Sequence, residues 1–293
     1  MHLALVVNPS SGKRRGEAIA ARADDRLRHA GHTTATIQGE DAPSARDQLK
    51  QAIDTGLDGV LVVGGDGALH GVLDHVADSD LVFGLIPAGT GNDTARSLGI
   101  PVKDVDAAVD LVIAGHVRTI DLARTGEAYV ATVIASGFDS LVNERVNEMT
   151  WPHGNMRYNI AIVQELRAFR PLPFTLTLDG TTIEREAMLV AVGNGPSFGG
   201  GLRICEGASM DDGLLDVVVI NPVSKARLLT VFPRLYRGTH VTLPEFERHR
   251  VREVTVSSPG IVAYGDGERL GPLPMTTTIQ PGALRVFAPG PPA

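Results

Sequence analysis

The residues best placed to do chemistry are Asp66, inside Gly64-Gly65-Asp66-Gly67, and Asp93, closing Ala88-Gly89-Thr90-Gly91-Asn92-Asp93. Each turn follows a short apolar run, at 60–63 and 81–86. Such runs read as fully buried strands of a parallel sheet. In an open α/β sheet, ligands bind where these turns sit, at the carboxyl ends of the strands. Gly64, Gly65 and Gly67 are expected to take positive φ and let backbone N–H groups close on a ligand. N–H groups beside a helix N-terminus favour an anion such as phosphate. Asp66 would repel phosphate unless a cation lay between them, which points to Mg²⁺. Thr90, Asn92 and Asp93 add a hydroxyl, an amide and a second carboxylate. Two such loops facing one crevice describe a Mg-nucleotide site.

The elements that must position these turns follow from periodicity. Residues 3–7 form an apolar strand ending in Asn8-Pro9-Ser10-Ser11-Gly12. Ile19, Ala23 and Leu27 recur at helical spacing, and Gly31 stops that helix. A strand at 33–37, a helix opened by Pro43, an apolar helical face of Leu69, Val72, Leu73 and Val76, a helix at 104–115 and a strand at 117–122 follow. Alternating strands and helices imply a doubly wound parallel α/β domain. Beyond Ala123 the pattern changes. An Asp179-Gly180 turn between alternating runs predicts a hairpin. Strands at 129–135, 188–192, 215–220, 251–256, 261–264, 276–279 and 283–287, with a helix at 156–169, suggest a mostly antiparallel β-sandwich or barrel.

Composition narrows the class. The chain has 293 residues, 43% of them hydrophobic, which suits about two domains. No apolar run reaches the roughly 18 residues of a membrane span, and the N-terminus lacks a signal-peptide pattern. The single Cys205 excludes an internal disulfide, reads as a buried thiol and fits a cytoplasmic protein. A net charge of −7 argues against nucleic acid as a partner.

Familiar phosphate motifs are absent: there is no Gly-x-x-x-x-Gly-Lys-Ser/Thr, and His70 occupies the third place of a would-be dinucleotide fingerprint. The sequence instead resembles the diacylglycerol kinase family, which includes sphingosine kinases and bacterial lipid kinases. The resemblance rests on the two loops above and four further stretches in order. These are Asn8–Gly12, the Asp121 of Thr119-Ile-Asp-Leu-Ala123, residues 199–217, and Gly265-Asp266-Gly267-Glu268. Ala68, His70 and Gly71 depart from the family's usual Thr, Asn and Glu.

The resemblance implies an ATP-dependent lipid kinase, most readily a diacylglycerol kinase, acting at a membrane surface. It assigns Asn8, Pro9, Ser10, Ser11 and Gly12 to ATP together with Gly64, Gly65, Asp66, Gly67, Ala68, Leu69, His70, Thr90 and Glu268. Asp66, Asp93 and Asp121 would orient Mg²⁺, and Asp266 would act as general base. Asp212 with the backbone oxygens of Ser209 and Leu214 would hold a structural Mg²⁺. Residues 1–122, with 280–293 returning to them, would bind nucleotide, and residues 123–279 would bind lipid.

Taken alone, Asp266-Gly267 is an ordinary hairpin turn, Asn8–Gly12 an ordinary strand–helix turn and Asp211-Asp212-Gly213 a turn feeding a strand. Gly195-Pro-Ser197-Phe-Gly199 spells a hydrolase elbow, but Gly199-Gly200-Gly201 cannot start the required helix, so it reads as a flexible loop over the lipid. Residues 156–169 and the basic set Lys225, Arg227, Arg234 and Arg237 are candidate membrane contacts, and a homodimer stays open. The rivals are an NAD kinase-like alcohol kinase and a non-catalytic nucleotide- or lipid-binding protein.

Overall fold

Strands β1 (His2–Val7), β3 (Gly59–Gly64) and β4 (Val82–Pro87) are buried on both faces along almost their whole length. Their side chains alternate between two helical layers, as a pleat requires. Leu3, Leu5, Leu61 and Val63 pack on α1 (Lys13–His29) and α5 (Val105–Ala114). Ala4, Val6, Val60 and Val62 pack on α2 (Ala42–Asp54) and α3 (Asp66–Val76). With β2 (Thr33–Ile37) the parallel order is β2-β1-β3-β4, doubly wound. A short α4 (Asp93–Ser97) follows β4. The computed structural model describes residues 1–7, 13–39, 41–151, 155–168 and 170–290.

The second half supplies β5 (Val117–Thr125), β6 (Ala128–Val130), β7 (Val133–Gly137), α6 (Phe138–Glu148), α7 (Asn155–Ala168), β8 (Leu172–Leu178), β9 (Thr181–Ala187), β10 (Leu189–Gly193) and β11 (Leu215–Ile220). Then come α8 (Lys225–Arg237), β12 (Phe246–Val251), β13 (Glu253–Ser257), β14 (Val262–Gly265), β15 (Glu268–Pro272) and β16 (Met275–Phe287). The long β16 runs antiparallel to β5 and β13 and parallel to β4, so it continues the first sheet into the second half. The other sheet, β12-β11-β10-β7-β14-β15, is antiparallel and lies over it. Phe174, Leu176, Val254 and Ile279 from one sheet meet Val190, Val217, Val219 and Ala263 from the other. This is a sandwich core. The α/β class with a C-terminal antiparallel half is therefore as expected.

Three strand readings need correction. Residues 276–279 and 283–287 are not two strands but parts of the single β16, with a register shift between Gln280 and Leu284. Residues 129–135 are not one strand: β6 ends in one sheet and β7 begins in the other. Residues 251–256 likewise divide between β12 and β13. Both sheets bury the 129–135 run, which stays apolar but for Thr132 through its crossing and hides it; at the second crossing only the exposed pair Arg252-Glu253 breaks the alternation. Helices α4, α6 and α8 went unread. In α8 the helical spacing of Val231, Phe232, Leu235 and Tyr236 was there to be read, but Pro233 inside it reads as a helix breaker.

Candidate active site

The two glycine loops meet backbone to backbone. A Cβ on Gly65 would lie 3.1 Å from the Gly89 Cα, and one on Gly89 only 2.6 Å from the Gly65 Cα. Close approach, not left-handed conformation, is what these glycines provide. Gly65 has φ −110°, and neither Gly64 nor Gly67 has positive φ, which corrects the expectation above. The left-handed residue is Asn92, at φ 53°, whose side-chain amide pairs with both backbone groups of Gly89 and closes that loop.

Asp66 starts α3, and its carboxylate accepts from the N–H groups of Asp93 and Thr94, both at 3.0 Å. It thus caps α4 from a different loop, where Asn92 makes no side-chain cap. Asp93 is buried and accepts from the Gly200 and Gly201 N–H groups at 2.7 Å. Gly199, Gly200 and Gly201 all have positive φ, and this left-handed run cradles the Asp93 carboxylate. The triple glycine is therefore pinned, not a loose flap as read above. No helix follows Ser197, so the elbow is excluded.

Asp266 arrives from the opposite end of the chain. Asp266 and Gly267 have φ 50° and 87°, joining β14 to β15 in the two-residue turn that requires φ > 0 at both places. The Asp266 carboxylate accepts from the N–H groups of Ala131 (2.6 Å) and Thr132 (2.9 Å) and from the Thr132 hydroxyl (2.5 Å). Ala131 and Thr132 lie between β6 and β7, where the chain changes sheets. Burial pushes the Asp266 carboxyl up, and the charge of Asp66 adds to this. Burial also raises Asp93, again with Asp66 contributing. Three carboxylates are thus gathered. Glu268 reaches over the first loop, since a Cβ on Gly67 would sit 2.7 Å from its Oε1.

Not every expected residue joins them. Asp121 accepts from Gly213 (2.7 Å) and Gly282 (2.8 Å) and is not in the cavity wall described next. It ties the acidic turn to β16, and Asn194 donates both to its backbone carbonyl and to that of Ala131, whose N–H Asp266 accepts. Both its oxygens serve N–H groups that turns leave unpaired. Leu69 is fully buried in the core, and Ala68 packs against the same cluster. His70 has a buried Nδ1 with no partner and is not in the cavity wall. Asn8, Pro9, Ser10, Ser11 and Gly12 lie outside the described residues.

In the acidic turn, Asp212 pairs with Arg250 and accepts from the Leu214 N–H at 3.1 Å. Ser209 donates to Asp211 at 2.5 Å. Arg250 supplies positive charge to the Asp212 carboxylate. These residues fit a structural Mg²⁺ only if Arg250 yields Asp212. Among the described residues no three acidic, His or Cys side chains are grouped closely enough to hold a metal by themselves, so a hydrated Mg²⁺ beside Asp66 and Asp93 would draw its other ligands from phosphate and water.

A cavity of about 620 Å³ opens from these carboxylates, within the usual range for ligand sites. It lies on the outer face of the antiparallel sheet, against Val133, Ala135 and Leu189. Phe138 and Val142 of α6, Ile162 of α7, Val231 and Leu235 of α8 and Phe198 of the pinned loop complete an apolar wall. Asn143 and Asp139 of α6 interrupt it; Asp139 sits in the first turn of that helix and accepts from Asn143 at 3.2 Å. Burial pushes its carboxyl up to about 6, because its partial exposure is to the cavity it lines. The sequence reading passed over Asn143 and Thr132, since α6 and the sheet crossing were themselves unseen.

An α/β half with phosphate-type loops, facing an apolar cavity in a β-sandwich half, defines a kinase of a lipid-like alcohol. The sequence matches the diacylglycerol kinase catalytic domain over residues 2–125 and the YegS C-terminal NAD kinase beta sandwich-like domain over 132–288. A diacylglycerol kinase of Mycobacterium tuberculosis is 46% identical over 290 residues, covering 97% of this chain and 94% of that protein. One of Bacillus subtilis is 28% identical, covering 92% and 90%. The chain belongs to the diacylglycerol kinase catalytic-domain family, and it is a lipid kinase. A crystal structure described as a putative diacylglycerol kinase from Bacillus anthracis superposes with TM-score 0.79 at 20% identity, covering 98% and 95%. An Archaeoglobus fulgidus NAD kinase, in complex with ATP, superposes at 0.53 and 12%, covering 98% and 93%. Both show likeness of fold.

Proposed function

We propose that this kinase transfers the γ-phosphoryl group of ATP to the free hydroxyl of diacylglycerol, forming phosphatidic acid. The observation that carries this is the apolar cavity running from the three carboxylates into the sandwich half. An NAD-type acceptor would need polar groups along that wall, where Val142, Ile162 and Leu235 stand. The names of the relatives agree with the lipid reading.

When bound, ATP supplies the phosphoryl group and Mg²⁺ offsets its charge; the protein's part is positioning and electrostatics. Gly65, Gly67, Thr90 and Glu268 bind nucleotide, with Asn8–Gly12 assigned to the same task. Asp66 and Asp93 would hold Mg²⁺ with the lone pairs that their N–H donors leave free. Asp266 takes the hydroxyl proton at a lone pair its three donors leave free. Residues 1–122 with 280–293 serve the nucleotide, and 123–279 the lipid. The lipid enters from a membrane surface. Among the described residues no helix is long and apolar enough to cross a membrane.

The test is ATP turnover with diacylglycerol, sphingosine, other lipid alcohols and NAD offered in turn. Diacylglycerol is expected to give the highest kcat/KM and NAD none. Turnover of NAD, or of sphingosine alone, would replace the reading.

A further inference from the structure

The cavity needs a route to its lipid, and α8 stands at that route. Val231 is buried and Leu235 partly so, and both line the cavity. Phe232 and Tyr236 line it too, yet are 37% and 48% exposed, with rings edge to face at 5.8 Å. Arg234 and Arg237 are exposed, and among the described residues neither has a carboxylate within ion-pair distance. Arg227, by contrast, is neutralised by Glu245 at 2.9 Å. The helix contains no acidic residue, in a chain whose net charge is −7. With about 100° between residues, the order round the helix is cavity wall, aromatic pair, arginines.

We propose that the outer face of α8 docks on an anionic bilayer surface, with Phe232 and Tyr236 at the headgroup boundary and Arg234 and Arg237 on lipid phosphates. This rests on the lipid-kinase reading and names the surface through which that site meets its membrane. Aromatic rings with wet edges favour the membrane interface, and each nearby arginine adds attraction to anionic lipid. A lipid leaving the bilayer beside Phe232 would enter the cavity without crossing water.

The test uses the full chain and sucrose-loaded vesicles, of phosphatidylcholine alone and with phosphatidylglycerol added. The wild type is expected to sediment with the mixed vesicles and little with phosphatidylcholine. An Arg234→Gln, Arg237→Gln double variant should lose between about 10- and 30-fold in affinity for them. It should keep its kcat on a short-chain diacylglycerol dissolved as monomer. Phe232→Ser should weaken sedimentation on both vesicle types. Wild-type binding of mixed vesicles by the arginine variant would overturn the proposal. So would a dimer, seen by ultracentrifugation, that Phe232→Ser dissociates, because a second copy would then cover the face. Vesicle binding of the expected pattern with no lipid phosphorylated would uphold the docking and sink the substrate reading alone.

Discussion

Asp266 and Asp179 do the same local job at two places. Each opens an Asp-Gly turn with positive φ, and each accepts the N–H groups of a segment where the chain leaves one sheet for the other. Asp179 serves Arg252 and Glu253 on the exposed side, while Asp266 serves Ala131 and Thr132 beside Asp66. The pair separates structure from catalysis. Asp266→Asn loses an acceptor and the base, so kcat should fall by about 10²–10⁴ with ATP affinity little changed. Asp179→Asn loses only an acceptor that water can replace, costing about 0.5–1.5 kcal/mol of stability with kcat intact. Turnover at saturating substrates, beside a melting curve of each variant, checks this; near-full kcat in Asp266→Asn would leave Asp266 a turn residue. Asp139 makes a second prediction. Its carboxyl keeps a proton to about pH 6 when folded, and an unfolded aspartate loses it near pH 4. Between these values the folded state holds the extra proton, so stability falls as pH rises through that window. The loss is roughly 3 kcal/mol by pH 7. Asp139→Asn should remove it, and the two melting curves should diverge between pH 4 and 7. Parallel curves would mean that water solvates Asp139 fully.

At the scale of elements, each nucleotide turn is shaped by its neighbour. The β4–α4 loop leans on the β3–α3 loop so closely that Gly89→Ala would place a methyl 2.6 Å from the Gly65 Cα and 2.9 Å from the Asn92 Oδ1. Backbone cannot yield as a flexible side chain can. The variant should lose about 1–3 kcal/mol of stability and bind ATP more weakly. An ATP titration matching the wild type would dissociate this contact from the nucleotide. The acidic turn makes the opposite kind of prediction. Asp212 already holds Arg250 and the Leu214 N–H. If Mg²⁺ displaces Arg250, added Mg²⁺ should raise the wild-type Tm, and Asp212→Ala should abolish that rise. An equal Mg²⁺ shift in both proteins would make the turn purely structural.

For the whole molecule, the decisive feature is that β16 belongs to both halves, pairing with β5 along one edge and with β13 and then β4 along the other. It carries one sheet from the parallel half into the sandwich, whose second sheet brings Asp266 over the nucleotide loops. Nucleotide and lipid then occupy different regions of one site. Ala135→Trp, on the outer face of β7, should fill the cavity and lower lipid turnover at least tenfold while ATP affinity holds. Equal loss of both would show that the cavity and the nucleotide loops are not separable. The buried parallel strands, the glycine turns after them, both Asp-Gly hairpins and the family were legible in the residues alone. These are local facts: periodicity, turn chemistry and motif order are set by neighbours in the chain. The sheet crossing at Ala131-Thr132 was not, because that run is buried in both sheets and apolar but for Thr132; the one at Arg252 left only the Arg252-Glu253 pair as a break in the alternation. Nor was the choice between the two turn aspartates, the use of Asp121 to tie the acidic turn to β16, or the cradle that Gly200 and Gly201 make for Asp93. Those depend on which distant N–H groups a carboxylate meets, and only the packing of one half against the other decides that.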